Sequence, residues 1–501
     1  MATDKDVTLH SLFEGTLERF GTRPAVRAGD RELTYRDIAL AANRLAHVLI
    51  GHGVEPGSPV ALMMSNRLEW VVADQAIIRA GAAKVPVNSM LSATEVAYIL
   101  HDSGAAIALA DDSMVDVARE AGVATVLALG PDWDAALAAA PSDQPPDVHV
   151  RGSDIGLILY TGGTTGRQKG VVHRQSGLAV NLLAHVLEIG LLDDERLLLS
   201  SPLPHSAGFL LQAGLLKGAL VFVEPRFDVD VVLRRIDRDR TTFFFAVPTM
   251  IYRLLDAAAD RDLDLSSLRT ILYGAAPITA ERLEQGLRRF GPVFMQLYGQ
   301  SEAPNFLTRL TREDHDPDRP RRLLSCGRAA TLVTIQVLDD QGQPVPAGES
   351  GEICARAPYV MDRYHGLPDA TARTLAGDWL HTGDIGFLDG DGYVYLLDRK
   401  NDMIISGGMN VYTSEVEQVI SACTGVARVA VAGVPHPDWG EAVVAFVVPG
   451  DDFDQGLLEQ ACQTELAAYK RPKAYRLVEH LPVTSVGKID KKLLKASWRG
   501  W

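Results

Sequence analysis

Cysteine and long apolar segments are scarce in this 501-residue chain. Its four cysteines are far apart and form no C-x-x-C pair, so their spacing predicts neither a zinc site nor a disulfide framework. They are Cys326, Cys354, Cys423 and Cys462. No run of about 18 apolar residues exists, and charges in MATDKDVTLHS occupy the place of a signal peptide's apolar core. We therefore expect a soluble, reduced protein of the cytoplasm.

Positive charge is also in short supply. The chain has 49 lysines and arginines against 64 acidic residues, which gives a net charge of −15. This balance argues against a general affinity for nucleic acid or for an anionic membrane. An anionic substrate must therefore be held by local positive charge, and the length of the chain predicts two or more domains.

One stretch, LYTGGTTGRQKGVVH from Leu159 to His173, is rich in glycine and threonine. The apolar residues from Ile155 to Tyr160 predict a buried strand that leads directly into it. Glycine lets backbone N–H groups approach an anion, threonine adds hydroxyl donors and lysine adds charge. A phosphate-binding loop is therefore predicted, in preference to a mobile surface turn. The candidate ligands are Thr161, Gly162, Gly163, Thr164, Thr165, Gly166, Arg167 and Lys169.

This loop lacks the Walker pattern of glycine, four residues and Gly-Lys-Ser/Thr, so it is another kind of phosphate loop. It resembles the signature of the adenylate-forming superfamily, which includes acyl-CoA synthetases, firefly luciferase and the adenylation domains of peptide synthetases. The chain has Gly163 where the family usually has serine, and Gln168 where it usually has proline. Both departures leave the threonines, the lysine and the backbone donors in place.

Two later turns also resemble nucleotide contacts of this family. In GAAP, after a strand predicted from Thr270 to Tyr273, the resemblance implies that the turn borders adenine, and an ordinary tight turn is the alternative. These residues are Gly274, Ala275, Ala276 and Pro277. In QLYGQSEAP the resemblance implies ATP contacts by Tyr298, Gly299 and Ser301. It also implies a Mg²⁺ contact by Glu302, since Mg²⁺ favours carboxylate oxygen.

The segment GDWLHTGDIGFLDGDGYVYLLDRKNDMIISGGMN carries further motifs. An aspartate can accept both hydroxyls of a ribose and an arginine can bind ribose or phosphate, so Asp384 and Arg399 are candidate ATP contacts. The resemblance implies the same roles and places a hinge at Asn401, where the family often has aspartate or lysine. It also implies a thiol tunnel beside Gly407 and Gly408. Exposed hairpin charges are the alternative, and they account well only for the Asp-Gly repeats.

The end of the chain is basic, with nine lysines and arginines against two acidic residues from Tyr469 to Trp501. A solvated charged face is the alternative explanation. The residues from Pro482 onward match the family's closing Pro-x-x-x-x-Gly-Lys-Ile pattern. This match implies that Lys488 reaches the carboxylate and the α-phosphate.

The alternation of helical and short apolar segments along the chain predicts its fold class. Helical segments such as Tyr35 to Gly51 alternate with short apolar runs such as Val60 to Met64, which is typical of an α/β protein with a largely parallel sheet. We expect a large N-terminal multi-sheet α/β domain, residues 1–400, with the ATP and carboxylate pockets. A small, mobile α+β lid is expected to follow at residues 401–501.

Taken together, the motifs resemble those of an acyl-CoA synthetase. The resemblance implies that ATP, with Mg²⁺, converts a carboxylic acid to an acyl-adenylate, and that the thiol of coenzyme A then displaces AMP. A stand-alone enzyme that loads the acid onto the phosphopantetheine of a separate acyl-carrier protein is the alternative. A nucleotide-binding protein without catalysis is disfavoured, because Glu302 and Lys488 are both present.

The identity of the acid stays open among aliphatic, alicyclic and aryl acids, and the protein is expected to be a monomer or a homodimer. Peptide-synthetase domains place an aspartate near the position of Ser206, so ordinary α-amino acids are disfavoured. The resemblance implies that His205 borders the carboxylate pocket and moves as the second substrate enters. The predicted lining of the acid pocket is His185, His205, Phe209, Tyr273, Gly299 and Asn305.

The role assigned to Lys488 gives a first prediction. Lys488→Ala should lower the rate of acyl-adenylate formation by ~10²–10³, because one charge that stabilises the transition state is lost. Thioester formation from supplied acyl-AMP should remain largely intact, since the family withdraws this lysine for the second half-reaction. The two half-reactions are measured separately, and an equal loss of both would contradict the assignment.

Overall fold

The computed structural model describes residues 6–161, 168–259, 261–276, 278–400, 402–483 and 489–500. The chain divides into two compact units. The first unit is Met1–Ile335 with Ala355–Leu380, and the second is Gln336–Cys354 with His381–Trp501. The predicted α/β class is confirmed, with several sheets in the larger, mainly N-terminal unit. The functional boundary at residue 400 stays a prediction, because compactness does not establish which residues rotate.

The strands are given first, in chain order. They are β1 Pro24–Ala28, β2 Arg31–Thr34, β3 Pro59–Met63, β4 Ala83–Pro86, β5 Ile107–Ala110, β6 Thr125–Ala128, β7 Ile155–Thr161, β8 Lys169–Arg174, β9 Arg196–Leu199, β10 Leu220–Val223, β11 Phe243–Ala246, β12 Thr270–Tyr273, β13 Phe294–Gln300, β14 Ala303–Leu310, β15 Arg328–Ala329, β16 Thr334–Leu338, β17 Gly351–Arg356, β18 Arg363–Tyr364, β19 Leu380–Leu388, β20 Val394–Arg399, β21 Ile404–Ser406, β22 Met409–Val411, β23 Val426–His436, β24 Gly440–Pro449 and β25 Ala474–Leu477.

The α-helices are α1 Leu9–Phe13, α2 Thr16–Phe20, α3 Tyr35–Gly51, α4 Leu68–Arg79, α5 Ala93–Ser103, α6 Val115–Glu120, α7 Pro131–Ala138, α8 Gln175–Ile189, α9 Gly208–Lys217, α10 Val229–Asp237, α11 Pro248–Ala258, α12 Ala280–Phe290, α13 Pro320–Leu323, α14 Pro368–Thr374, α15 Thr413–Ser421, α16 Gln455–Glu465 and α17 Lys491–Ser497. A π-helical turn covers Leu203–Ala207, and a 3₁₀ turn covers Ala376–Asp378.

Two sheets form the first unit. Within the described residues, one has nine strands in the order β15-β14-β13-β12-β11-β9-β10-β1-β2, and its central pairs from β1 to β13 are parallel. The other has seven strands in the order β18-β8-β7-β4-β3-β5-β6. Strands such as β11, with the sequence FFFA, are buried along their whole length, as expected for parallel strands covered by helices on both faces. The largely parallel arrangement predicted from the alternating pattern is confirmed.

The second unit is built mainly on antiparallel pairs, and β25 is parallel to β24. One sheet has the order β16-β17-β19-β20, and the other has the order β22-β21-β24-β23 with β25 beside β24. The Asp-Gly repeat forms the predicted hairpin turn between β19 and β20, where the carboxylate of Asp389 accepts hydrogen bonds from the N–H groups of Asp391 and Tyr393. A side chain that bonds to backbone two residues ahead favours such a turn.

Local signals in the sequence explain where helices begin. Thr34 caps α3 because its hydroxyl accepts from the N–H of Asp37, while the Asp37 carboxylate accepts from the N–H of Thr34. This reciprocal pair is a capping box, which stabilises the first turn. The helix predicted at Tyr35 to Gly51 therefore has its predicted limits. Among the described residues, no helix has both the length and the apolar surface needed to cross a bilayer.

Three buried histidines of the first unit give a pH prediction. Burial lowers the pKa of His173, His185 and His315 to about 4, from 6.5 in an exposed histidine. As pH falls through this window, the unfolded chain takes up protons that the folded chain excludes. The free energy of unfolding should therefore be highest above pH 6.5 and should fall toward pH 4, by up to about 1.4 kcal/mol per pH unit for each histidine.

Urea unfolding between about pH 7 and pH 4.5 measures this slope. His315→Gln is the variant to compare, because the His315 ring bonds to the Thr311 carbonyl and to the hydroxyl of Tyr273, and His315 is not itself a predicted substrate contact. His315→Gln should reduce the slope of the free energy of unfolding against pH, because the unfolded variant takes up one proton fewer. Equal slopes in the two proteins would show that His315 does not stay neutral when the protein is folded.

Candidate active site

The predicted phosphate loop lies in sequence between two paired antiparallel strands. Strands β7 and β8 pair along their length, and their last pair joins Thr161 to Lys169. Both side chains are half-buried where the hairpin opens. The other predicted loop ligands lie outside the described residues; they are Gly162, Gly163, Thr164, Thr165, Gly166 and Arg167. The hairpin thus fixes where the loop leaves and re-enters the sheet.

Glu302, between β13 and β14, is fixed by Tyr364, which lies on β18 of the other sheet. The Tyr364 hydroxyl donates to Glu302 Oε1 at 2.5 Å, and the Met361 N–H donates to the Glu302 carbonyl at 2.7 Å. Glu302 is 8% exposed, and its Oε2 accepts no hydrogen bond from the described residues. A carboxylate held through one oxygen, with the other open, suits a hard cation such as Mg²⁺.

The same tyrosine contacts the phosphate-loop lysine. Lys169 Nζ lies 4.7 Å from the centroid of the Tyr364 ring, within the range of a cation–π contact. Tyr364 can reach both groups because β18 pairs with β8, which places Tyr364 opposite Val171. A cation and a carboxylate that are 133 positions apart in the sequence therefore meet around one aromatic ring.

A buried histidine holds the backbone beside Glu302. His173 Nε2–H donates to the Ser301 carbonyl at 2.8 Å. The next residue back, Gln300, has a buried Nε2 that finds no hydrogen-bond partner among the described residues. A buried donor without a partner is costly, so this amide is suited to an acceptor on a bound molecule. Polyphosphate and ribose oxygens are such acceptors, which is consistent with the predicted ATP contacts.

The turns around this segment carry backbone strain. Ala275 has a left-handed φ of 67°, a conformation that is unfavourable for alanine, and Asn305, on β14, has a left-handed φ of 65°, which asparagine adopts at lower cost. Gly274 and Gly299 pack tightly against backbone, since a Cβ on Gly274 would lie 2.6 Å from the Leu297 carbonyl oxygen. Strain of this kind persists only where surrounding structure enforces it, and it is concentrated at functional sites. The predicted adenine-binding residues Ala275 and Ala276 are exposed, whereas Pro277 lies outside the described residues.

The predicted acid-binding residues include a neutral polar pair. Asn305 Nδ2 donates to His185 Nε2 at 2.8 Å, and His185 Nδ1–H donates to the Asn181 carbonyl at 2.7 Å. Because Nε2 accepts, the ring is neutral, and burial lowers the pKa of His185 to about 4. His185 also stacks on Phe209, with ring centroids 5.8 Å apart. The pair therefore presents polarity without charge.

The structure places the two remaining acid-pocket candidates differently. His205 lies in the π-helical turn, where Asn88 Nδ2 donates to its Nε2 at 3.2 Å. Tyr273 is fully buried and bonds to His315 at 3.0 Å, beside Phe294. Its contribution to an acid pocket stays a prediction.

In the second unit, the predicted ribose pair forms an ion pair. Asp384 and Arg399 are opposite each other on β19 and β20, and Arg399 Nε lies 2.7 Å from Asp384 Oδ1. Glu352 fixes the neighbouring residues, because its Oε1 accepts from the Gly383 N–H at 3.0 Å and its Oε2 accepts from Lys400 Nζ at 3.1 Å. The carboxylate of Asp384 is thus held beside a partly exposed guanidinium.

The predicted thiol tunnel corresponds to an open turn. Gly407 and Gly408, between β21 and β22, both have a left-handed φ, of 59° and 81°, and both are exposed. A Cβ on Gly408 would meet nothing within 4 Å, so no neighbouring group packs against this position. The predicted hinge Asn401 and the catalytic Lys488 lie outside the described residues.

Sequence reasoning missed four residues of this arrangement, namely Tyr364, His173, Glu352 and Lys400. Each acts through a strand pairing or a turn that joins distant parts of the chain. Lys400 adjoins the predicted Arg399 and Asn401, and its position next to a candidate ligand was the one local signal. For Tyr364, no spacing in the sequence indicates its partner.

The close packing of Gly299 gives a site prediction. A Cβ there would lie 2.7–2.8 Å from the backbone N, C and O of Asn305, so the turn must shift. Gly299→Ala should lower the free energy of unfolding by about 1–3 kcal/mol and should reduce acid-dependent pyrophosphate release. Gly390→Ala is the matched control, since a Cβ there meets nothing within 4 Å. Full activity of Gly299→Ala would contradict the packing argument.

Comparison with known proteins identifies the family. Residues 13–365 match the AMP-binding enzyme family, and residues 415–488 match the AMP-binding enzyme C-terminal domain. A feruloyl-CoA synthase of Amycolatopsis sp. is 38% identical, over 93% of this chain and 94% of its own. A medium/long-chain fatty acid–CoA ligase of Mycobacterium tuberculosis is 35% identical, over 98% of this chain and 90% of its own.

A solved structure gives the same result. The o-succinylbenzoate-CoA synthetase of Bacillus subtilis, in complex with its acyl-adenylate intermediate, has a TM-score of 0.88 at 30% identity. The match covers 98% of this chain and 99% of that one. The predicted resemblance is confirmed: the chain belongs to the AMP-binding enzymes of the adenylate-forming superfamily, and it is similar to acid–CoA ligases along nearly its whole length.

Proposed function

We propose that this protein is an AMP-forming carboxylate:CoA ligase. The observation that carries the proposal is the meeting of Lys169 and Glu302 at Tyr364. The first half-reaction joins two anions, a carboxylate and the α-phosphate of ATP, so positive charge must be positioned where they meet. Lys169 supplies a cation on the protein, and Glu302 supplies the oxygen that binds Mg²⁺.

In the first half-reaction, a carboxylate oxygen attacks the α-phosphorus and pyrophosphate leaves. Thr161, Lys169 and the rest of the glycine-rich loop hold the polyphosphate, and Lys488 contacts the acid carboxylate and the α-phosphate. Mg²⁺, held by Glu302, neutralises phosphate charge when bound. Asp384 accepts the ribose hydroxyls, and Arg399 holds Asp384 in place. Among the described residues, Glu302 and Asp384 receive these roles with side-chain partners that fix their carboxylates.

In the second half-reaction, the thiol of coenzyme A attacks the acyl carbonyl, the C–O bond to phosphate breaks and AMP leaves. The open turn at Gly407 and Gly408 supports passage of a pantetheine arm, since a Cβ on Gly408 would meet nothing within 4 Å. A rotation at Asn401 lets the C-terminal domain serve the two half-reactions in turn. A carrier protein bearing phosphopantetheine is the alternative acceptor, because it offers the same thiol.

The acid is proposed to be a monocarboxylate with an uncharged body. The His185–Asn305 pair is neutral, and both N–H groups of the Asn305 amide are used, the second on the Ser206 carbonyl at 3.3 Å. No charged side chain contacts this pair among the described residues. A second carboxylate or an ammonium group would therefore lose its hydration there without gaining a counter-ion. We place the protein in the cytoplasm, as a monomer or a homodimer that acts on small molecules.

Acid-dependent exchange of labelled pyrophosphate into ATP, with coenzyme A absent, tests the proposal. Pairs of acids that share one carbon skeleton are compared, one acid with a second charged group and one without it. Exchange is expected only for the acid that lacks the second charge. Glu302→Gln should lower the exchange by ~10²–10³. Glu281→Gln, on the exposed start of α12, is the matched control and should leave it unchanged.

The acceptor is then tested by supplying coenzyme A or a phosphopantetheinylated carrier protein. Faster thioester formation with free coenzyme A is expected, and preference for the carrier would favour the alternative. ATP binding without exchange for any acid would contradict adenylation itself. Exchange with doubly charged acids alone would contradict only the proposed acid class.

A further inference from the structure

Three side chains of the types that bind Zn²⁺ lie together beside the Asp384–Arg399 pair. Glu352 and Cys354 are two positions apart on β17, so they share a face, and His381 lies on the paired strand β19. One ligand atom from each of the three lies within 4.8 Å of the others. All three are at least partly buried. The spacing of the cysteines in the sequence gave no sign of this cluster, since its members come from separate strands.

The distances resemble those of a metal site. His381 Nδ1 lies 3.5 Å from Cys354 Sγ and 3.2 Å from Glu352 Oε2. Around a tetrahedral Zn²⁺, with bonds of about 2.0 Å to nitrogen or oxygen and about 2.3 Å to sulfur, ligands are about 3.5 Å apart for S and N and about 3.3 Å apart for N and O. Two edges of the tetrahedron are therefore already in place. The third edge, between Sγ and the carboxylate, is at most 4.8 Å long, and a side-chain rotation that shortens it completes the site.

We propose that Glu352, Cys354 and His381 form an inhibitory binding site for a borderline divalent cation such as Zn²⁺ or Co²⁺. The cation binds His381 Nδ1, Glu352 Oε2 and Cys354 Sγ, and water takes the fourth position. The thiol gives its proton to the buffer as the metal–sulfur bond forms. In the absence of the cation, Lys400 occupies part of the proposed cation position, because its Nζ bonds to the same Glu352 Oε2. Its side chain is 47% exposed, so it can swing into solvent when the cation arrives.

Inhibition follows from what Glu352 does without a metal. Its Oε1 accepts the Gly383 N–H, next to Asp384, and its Oε2 holds Lys400, next to Arg399. A cation that draws the carboxylate toward Cys354 weakens both bonds. The ion pair between Asp384 and Arg399 is then less well placed for a ribose. The cluster thus couples metal binding to the nucleotide contacts without using either residue as a ligand.

Titration of the purified protein with Co²⁺ tests the site directly, because a Co²⁺–thiolate bond gives a near-ultraviolet charge-transfer band. One equivalent should produce the band in the native protein. Cys354→Ser should abolish it, whereas Cys423→Ser, a cysteine outside the cluster, should keep it. Lys400→Gln should bind Co²⁺ several-fold more tightly, because the competing cation is removed. A band that persists in Cys354→Ser, or no band in the native protein, would overturn the proposal.

The inhibitory effect has its own measurement. With Mg²⁺ saturating, micromolar Zn²⁺ should raise the KM for ATP in pyrophosphate exchange several-fold in the native protein and leave Cys354→Ser unaffected. Equal inhibition of both proteins would place the effect elsewhere, such as at the proposed Mg²⁺ contact of Glu302. Such a result, together with a normal Co²⁺ band, would overturn the inhibitory role while retaining the metal site. Circular dichroism checks that the serine variant is folded.

Discussion

The hydrogen bond from Tyr364 to Glu302 connects the parts of the first unit that the proposed chemistry needs. A half-buried lysine and a buried carboxylate would each be costly without a defined environment. Tyr364 provides that environment for both groups, since its hydroxyl donates to Glu302 and its ring contacts Lys169. The pairing of β18 with β8 positions this tyrosine, and the pairing of β7 with β8 positions the lysine. The placement of two opposite charges thus depends on one strand order.

Backbone strain and close packing shape the turn that carries Glu302. Asn305 has a left-handed φ, and the adjacent Gly299 has no room for a side chain. The same Asn305 holds His185 neutral through its amide. One residue therefore connects the shape of the predicted ATP-binding turn to the polarity of the predicted acid pocket. In an acidic protein with a net charge of −15, this local control of charge matters more than the overall balance.

Much of the fold could be predicted from the sequence, because local signals decided it. The capping box at Thr34 and the short, mostly apolar run at Thr270–Tyr273 gave α3 and β12 their limits. Motif resemblance led to Asp384 and Arg399, which form an ion pair in the structure. The family assignment also followed from motifs alone.

The contacts that fix the site could not be predicted in this way. Tyr364 with Glu302, His173 with Ser301 and His185 with Asn305 all join residues more than 60 positions apart. Strand order and packing bring such residues together, and a single sequence records neither. The Glu352, Cys354 and His381 cluster was missed for the same reason, since cysteine spacing along the chain is informative only when the ligands are neighbours in sequence.

The transfer of a carboxylate oxygen to AMP is the most direct test of the central claim that this enzyme forms an acyl-adenylate. An acid labelled with ¹⁸O in its carboxylate is turned over with ATP and coenzyme A, and the products are analysed by mass spectrometry. Attack of the carboxylate on the α-phosphorus predicts one ¹⁸O atom in AMP and none in pyrophosphate. Label in inorganic phosphate, or unlabelled AMP in the presence of thioester product, would contradict the account.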